Sequence, residues 1–405
     1  MRPFIDALLL QAGYNAALVG IGAALLGGAA GAAGTFLFLR KRALVSDAIA
    51  HATLPGVGLA FIVMVTFGGD GRNLLGLLAG SAITAWLGLL IVEWIARRTR
   101  LSEDAAIGAV LSVFFGLGIV LLTVIQTMSA GRQAGLEGFL LGSTAGMLFN
   151  DAVVIAIGGA LAVLAVFVLR RPMTLVAFDP AYAASAGYNV RHIDLAMMSV
   201  VLAVTVIGLK LVGLILIVAM LIIPAVTARF WTNQSNTVVW CAGAVGASAA
   251  YVGAAISASA PAMPTGPIIV LVSAAAFVFS LLFAPARGVA AAVIRRQRFQ
   301  RRVHRRQGLL ALARAETILE PFTIKVLKAE GLARADGVAT PTGRAQAAKV
   351  ARDERRWEIA REIHHDPALT GRYDGLTPIE DVFTADEIQD FDRQIGGPAM
   401  VEAPA

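Results

Sequence analysis

The run KRALVSDAIAHATLPGVGLAFIVMVTF, residues 41–67, decides how the whole chain is read. As one helix it would extend about 40 Å at 1.5 Å per residue, more than the roughly 30 Å of a bilayer core. Beyond its basic start it holds two ionisable residues, Asp47 and His51. Its midpoint is Leu54, so His51 lies within roughly 5 Å of mid-depth along the axis, with Asp47 one turn nearer the basic end. Ionisable groups at such depth are costly and face a partner or a water-filled path. The i, i+4 spacing sets both side chains on one helix face. There a carboxylate oxygen and an imidazole nitrogen either share a divalent cation or bond to each other and tie two spans together; spacing and depth leave both open. Pro55 has no N–H, so the His51 carbonyl loses its helical partner and a hinge is expected at that proline.

The surrounding chain agrees with a membrane reading. It has 405 residues, 57% hydrophobic and 15% charged, with a mean hydropathy of +0.73. That is too apolar for a soluble protein of two or three domains. The charges are also divided unevenly: residues 1–290 hold 15 Lys/Arg and 10 Asp/Glu, residues 291–405 hold 19 and 17. The division gives a transmembrane domain (1–290), an Arg-rich juxtamembrane collar (291–306), a cytoplasmic domain (307–395) and a disordered tail (396–405). The single cysteine, Cys241, excludes an intrachain disulfide or a thiolate metal cluster. The net charge of +7 is concentrated in the collar, where RRQRFQRRVHRR (295–306) carries seven arginines, while residues 307–405 sum to −5. Such a collar suits anionic lipid headgroups, and the acidic balance beyond it argues against a nucleic-acid partner.

Apolar runs predict spans near 15–39, 44–67, 73–96, 105–127, 151–169, 193–209, 211–230, 237–258 and 266–284. The stretch 193–230 is too long for one upright helix and short for two, so one of its helices is expected to be broken or re-entrant, with Lys210 at the outer turn. Residues 136–149 are too short to span. The opening MRPFIDALLL lacks the charged region and small-residue cleavage site of a removable signal, so the first span is expected to remain. With nine crossings, Arg40, Lys41, Arg42, Arg97, Arg98, Arg100, Arg170, Arg171, Arg191, Arg229 and Arg287 share one side, which places the N-terminus outside and the C-terminal domain in the cytoplasm. Glu93 and Asp194 read as interfacial partners of the arginines near them in sequence, Arg97–Arg98 and Arg191. Gly27 and Gly31 form a GxxxG step for close helix packing.

FLRKRALVSDAIAHATLPGVGLAF (38–61) resembles the signature of the membrane subunits of metal-ion ABC transporters, the zinc/manganese/iron permease family. GLEGFLLGSTAGM (135–147), FDPAYAASAGYNVRHID (178–194), VGLILIVAMLIIPAVTARFW (212–231) and MPTGPIIVLVSAAAFVFSLLF (263–283) are similar in the same order and extend the likeness over about 1–290. The resemblance implies that Asp47 and His51 bind the transported divalent metal. It implies two permease subunits, identical or sister chains, two copies of a separate ATPase, and an extracytoplasmic metal-binding protein that delivers the ion. An Asp–His donor pair suits Mn²⁺, Fe²⁺ or Zn²⁺ rather than Cu(I). No G-x-x-x-x-G-K-[ST] occurs in the chain, so ATP must be hydrolysed elsewhere; no permanent cofactor is expected. Between two spans, Asp179 can cap a short helix with Pro180 at its first position and Gly187 beyond its end. By the resemblance this segment, which includes Tyr182, is the coupling helix that meets the ATPase.

In the last hundred residues, helices are expected near 302–315 and 320–329, then two extended pieces about the Asp336–Gly337 turn, then a long helix from Pro341 to about His364. This is a winged-helix order. ATPTGRAQAAKVARDERRWE (339–358) and YDGLTPIEDVFTADEIQDF (373–391) resemble metal-dependent repressors of the diphtheria-toxin-repressor type, although Glu354 stands where that family carries a histidine. His364, His365 and Asp366 form a solvated helix end with metal-binding chemistry.

The sequence therefore predicts an all-α polytopic membrane protein of about eight or nine transmembrane helices, followed by a small α+β winged-helix-like domain. The expected function is the permease of an ATP-driven divalent metal importer in a bacterial cytoplasmic membrane, with manganese the favoured cargo and zinc or iron the alternatives. Two other classes compete: a membrane-anchored metal-responsive regulator using the winged helix, and an ion-driven secondary carrier.

Overall fold

A computed structural model describes residues 2–69, 71, 73–128, 148–260, 263–363 and 371–396. The chain divides into two compact units, Met1–Ala291 and Ala292–Ala405.

The first unit contains α1 (Arg2–Leu8), α2 (Tyr14–Leu39), α3 (Ala43–Thr66), α4 (Leu74–Arg98), α5 (Glu103–Thr127), α6 (Phe149–Phe178), α7 (Pro180–Ser185), α8 (Val190–Val212), α9 (Leu214–Trp231), α10 (Ser235–Ala258) and α11 (Thr265–Phe283). Among the described residues eight helices are long and apolar enough to cross a membrane, namely α2 to α6, α8, α10 and α11, while the apolar stretch of α9 is shorter. Polar residues fix several of their starts. Asn73, Ser102 and Asn189 each accept a backbone N–H three residues on, at 3.2, 3.3 and 3.2 Å, which satisfies orphan donors of the first turn.

The long apolar stretch does break into two helices, but at Gly213 and not at Lys210. Lys210 lies inside α8, and Gly213 turns the chain with φ +84°, a left-handed conformation open to glycine at no steric cost. The first helix is longer than the expected 193–209, since α8 starts at Val190 and runs to Val212, while α9 is the shorter of the two at 18 residues. The stretch 136–149 lies outside the described residues up to Gly146 and Met147; its end begins α6.

Helix α2 is the centre of this unit. Gly27 and Gly31 let its backbone touch that of α10: a Cβ on Gly31 would strike the Ala242 carbonyl, and one on Gly27 the Gly246 carbonyl. A Cβ on Gly34 would likewise meet the Leu221 carbonyl of α9. The pairings Gly20–Tyr251, Gly27–Gly246 and Gly31–Ala242 run in opposite directions, so α2 and α10 are antiparallel. Tyr251 closes the far end by donating its hydroxyl to the Leu8 carbonyl at 2.6 Å. Around α2 the core is small and tight, built from residues such as Ala23, Leu26, Ala30, Phe36 and Leu37. Helices α5 and α6 instead leave large apolar side chains outward, among them Val113, Val120, Ile157 and Leu161.

The second unit holds α12 (Val289–Ala313) for nearly all its length, then α13 (Pro321–Ala329), α14 (Pro341–Ile363), a 3-10 turn at Ile379–Asp381 and α15 (Ala385–Gly396). The α+β expectation is corrected here. Among the described residues there is no strand: the two extended pieces meet only in one isolated antiparallel bridge between Ala333 and Ala339. The physical reason is length. The turn at Asp336–Gly337 leaves one residue of pairing on each side before the Thr340 N–H bonds to the Leu332 carbonyl and α14 begins. The arginines of the Arg-rich collar lie within α12.

Two apolar clusters hold this unit. Leu309, Leu327, Leu332 and Ala347 form one; Trp357, Ala360, Ile379, Phe383 and Phe391 form the other. Glu354 does not stand free as a metal ligand would. It accepts from Arg306 at 2.6 Å and from the Tyr373 hydroxyl. Burial opposes its charge, but these two donors and the guanidinium of Arg306 outweigh burial and hold its carboxyl below the usual range. Arg356 bonds Asp392 at 2.7 and 2.5 Å, which lowers the Asp392 carboxyl. His364, His365 and Asp366, and the segment 397–405 of the expected disordered tail, lie outside the described residues.

Two measurements test these contacts. Gly31→Val pushes a branched side chain into a backbone carbonyl, and overpacking of this kind costs about 1–3 kcal/mol; the purified variant should melt several degrees below the parent in the same detergent. Carboxyls depressed in the folded state stabilise it above their ordinary pKa, and that stability is lost as pH falls through the folded value. The second unit, followed by Trp357 in a variant whose other four tryptophans are phenylalanine, should therefore loosen below about pH 4. Glu354→Gln should start less stable at neutral pH and lose less on acidification.

Candidate functional site

Asp47 and His51 lie one turn apart on α3, as their spacing requires. Oδ1 of Asp47 is 3.4 Å from Nε2 of His51. The histidine side chain is 18% exposed and the aspartate 41%, so the pair opens outward from α3 rather than into the core. Nδ1 of His51 is buried and has no hydrogen-bond partner among the described residues. Phe115 of α5 stands edge-on to the imidazole with ring centroids 5.0 Å apart. One nitrogen faces a carboxylate, the other has spare capacity, and an aromatic wall limits ring rotation. The donor set is hard oxygen plus imidazole nitrogen, the chemistry of Mn²⁺, Fe²⁺ or Zn²⁺ sites. Among the described residues no cluster of three or more His, Cys, Asp or Glu could hold a metal ion. One chain offers two potential donor side chains at this position.

Pro55 lies inside α3, and the helix continues through it from Ala43 to Thr66. The surroundings explain why it does not break. On one side a Cβ at Gly56 would meet the Gly80 carbonyl and the Thr84 hydroxyl of α4. On the other, a Cβ at Gly118 of α5 would lie 2.5 Å from the Leu54 Cβ and 3.3 Å from the Pro55 nitrogen. The proline segment is gripped by two helices that approach to backbone contact. Phe115 and Gly118 were not singled out from sequence. The stripe that clasps α3 from α4 was open to view: Gly76, Gly80, Thr84 and Gly88 recur every four residues and form one small-residue face.

At the basic end of α3 the charges are paired in space. Arg40, just past α2, spends its whole guanidinium. Nε and Nη2 donate to Asp194 of α8 at 3.1 and 2.7 Å, and Nη1 donates to the Val176 carbonyl of α6 at 3.3 Å. Arg42, at the start of α3, meets Glu103 of α5 at 2.8 Å and Asp194 at 3.8 Å. Glu93 of α4 meets Arg97 at 2.9 Å, as sequence proximity indicated, and also Arg191 of α8 at 3.3 Å, which it did not. Asp194 differs: its partners are Arg40 and Arg42, not the neighbouring Arg191, and it is buried.

The short helix α7 has the caps its sequence calls for. The Tyr182 N–H donates to Asp179 Oδ1 at 2.9 Å, Pro180 opens the helix, and Gly187 ends it at φ +86°. N–H groups of Gly187 and Tyr188 bond the Ala184 and Ala183 carbonyls at 3.1 and 3.0 Å, the paired closure of a Schellman end. Ala183 is buried while Tyr182 is 60% exposed. The resemblance segment 135–147 lies outside the described residues.

Long apolar helices packed through glycine, an Asp–His pair inside one of them and ion pairs gathered at helix ends define a polytopic membrane transport protein. The chain belongs to the ABC 3 transport family, whose model matches residues 14–284. It is 42% identical over 308 residues to the manganese transport system membrane protein MntC of Bacillus subtilis (strain 168), covering 76% of this chain and 70% of that protein. It is 34% identical over 298 residues to the zinc transport system membrane protein TroC of Treponema pallidum (strain Nichols), covering 74% and 96%. Among solved structures, PsaBC from Streptococcus pneumoniae in complex with Fab is similar at 31% identity and a TM-score of 0.61, over 70% of this chain and 96% of that chain. The chain is thus the permease component of an ABC importer.

Proposed function

We propose that this permease carries a divalent metal ion, manganese, into the cytoplasm, and that Asp47 and His51 are its ligands inside the membrane. The observation that carries the reading is the Asp–His pair, one imidazole nitrogen of which has no partner among the described residues, on a helix long enough to span. The names of the relatives favour manganese over zinc: the 42% identical protein belongs to a manganese system and the 34% identical one to a zinc system. Two ligands from one chain leave a cation short of a first shell. A second permease subunit, homodimeric or a sister chain, would bring two aspartates and two histidines together. A soluble metal-binding protein delivers the ion from outside, and an ATPase on a separate chain docks at α7 through the segment of Asp179, Pro180, Tyr182 and Gly187.

The orientation belongs to the same reading. The ends of α2, α3, α4, α5, α6 and α8 that share the Arg40, Arg42 and Glu93 contacts are rich in arginine, and basic ends face the cytoplasm. Trp231 at the end of α9 bonds Ser280 near the end of α11 at 2.9 Å, so α9 counts as a ninth crossing. The N-terminus is then outside and the second unit cytoplasmic, with the α12 arginines near lipid headgroups. With no two-stranded wing among its described residues and an acidic balance, that unit suits a regulatory protein contact better than operator DNA.

In vesicles holding the permease with its ATPase, ATP-dependent Mn²⁺ uptake should fall more than about a hundredfold in Asp47→Ala and in His51→Ala, beyond the loss typical of a supporting residue, while the complex still assembles. Normal uptake by both variants would remove the site assignment. Uptake by the parent without ATP would favour a secondary carrier. Deletion of residues 307–405 should leave measurable uptake and change its dependence on internal metal; complete loss of a cellular metal response with transport intact would favour a regulator.

A further inference from the structure

We infer that Arg40 is the residue through which the position of the ATPase-docking segment is passed to the metal ligands, a positioning role that rests on the transport reading above. Three features of the chain lead to it. First, α7 hangs between the end of α6 and the start of α8, and Arg40 holds both: Nη1 donates to Val176, three residues before Asp179, and Nε and Nη2 donate to Asp194, seven residues after Gly187. One planar guanidinium therefore fixes both limbs of the docking segment at once. Second, this grip is protected. Asp194 is 7% exposed and Arg40 16%, so the pair is shielded from screening by salt.

Third, the connection from Arg40 to the ligands is stiff. The α2–α3 turn has three residues. The N–H groups of Arg40, Lys41 and Arg42 bond back to the Phe36, Phe38 and Leu37 carbonyls at 3.0, 3.1 and 2.9 Å, with Lys41 in the left-handed region at φ +58°. A non-glycine residue holds that conformation only where its surroundings over-determine it. Arg42 then opens α3 while bound to Glu103 and in reach of Asp194, and Asp47 follows five residues on, about 7.5 Å along the axis. No hinge intervenes between the clasp and the aspartate. A displacement of α7 by the ATPase moves Val176 and Asp194, hence Arg40, hence the start of α3 and its ligand pair. The clasp stays closed through the cycle; it transmits the movement and does not gate it.

The chemistry of the contact sets which replacements fail. Lysine keeps the charge but presents a single ammonium in place of a planar fork, so it cannot reproduce the two-pronged grip on Asp194 together with the bond to the Val176 carbonyl. The test uses the full chain assembled with its ATPase in vesicles, measuring Mn²⁺ taken up per ATP hydrolysed and, without nucleotide, Mn²⁺ bound by the complex. Arg40→Gln and Asp194→Asn should each lower the uptake-to-hydrolysis ratio by about tenfold or more, with Arg40→Lys intermediate, while binding without nucleotide stays near the parent value. A ratio equal to the parent's in any assembled Arg40→Gln or Asp194→Asn complex overturns the proposal, as does a parallel fall in uptake, hydrolysis and binding, which is the mark of a purely structural residue. Failure of the transport reading itself is distinguishable, because the parent complex would then show no ATP-dependent Mn²⁺ uptake at all.

Discussion

A carboxylate placed out of reach of water has to be met by positive charge, and in this molecule that requirement falls on Asp194. It is the buried acid at the start of α8, and the groups that answer it come from the turn between α2 and α3. Because Arg40 and Arg42 flank that turn, neutralising Asp194 also fixes where α3 enters the membrane region. The Asp47–His51 pair is carried on the N-terminal half of α3. The position of Asp47 and His51 is thus set partly by a charge-pairing demand made on a neighbouring helix, about 150 residues away in sequence.

Packing completes what charge begins. Helix α3 contains a proline one turn beyond His51, yet it runs unbroken because α4 and α5 present glycines at that height and approach its backbone. Association of helices in an apolar medium depends on close packing more than on burial of apolar surface. The His51 ring gains its fixed attitude from the same arrangement, since the α5 turn that brings Gly118 against Leu54 also sets Phe115 edge-on to the imidazole.

What could be read from the residues follows the range of the interactions involved. Asp47 and His51 share a helix face by simple periodicity, and the caps of α7 at Asp179, Pro180 and Gly187 are local rules, so both were legible. The break in the 193–230 stretch was legible as a break but not at its residue: the charge of Lys210 drew attention, whereas the backbone needed the left-handed freedom of Gly213. Asp194 misled for a related reason. Arg191 is its neighbour along the chain, but the partner that neutralises it is Arg40, contributed by a helix end that only the tertiary structure brings near. In the second unit the turn at Asp336–Gly337 was recognised, yet a turn alone does not make strands, and one bridge is all the short flanks permit.

The glycine contacts of α2 also bear on how this sequence can vary over time. Where Gly27, Gly31 and Gly34 touch carbonyl groups of α10 and α9, any added carbon is refused, so exchange at those positions is confined to the smallest side chains and requires a compensating change on the facing helix. On the outward faces of α5 and α6, where Val113, Val120, Ile157 and Leu161 stand exposed, any apolar residue of similar transfer energy serves equally well. Divergence among chains of this architecture should accordingly be slow along the central helix and fast on the outer ones.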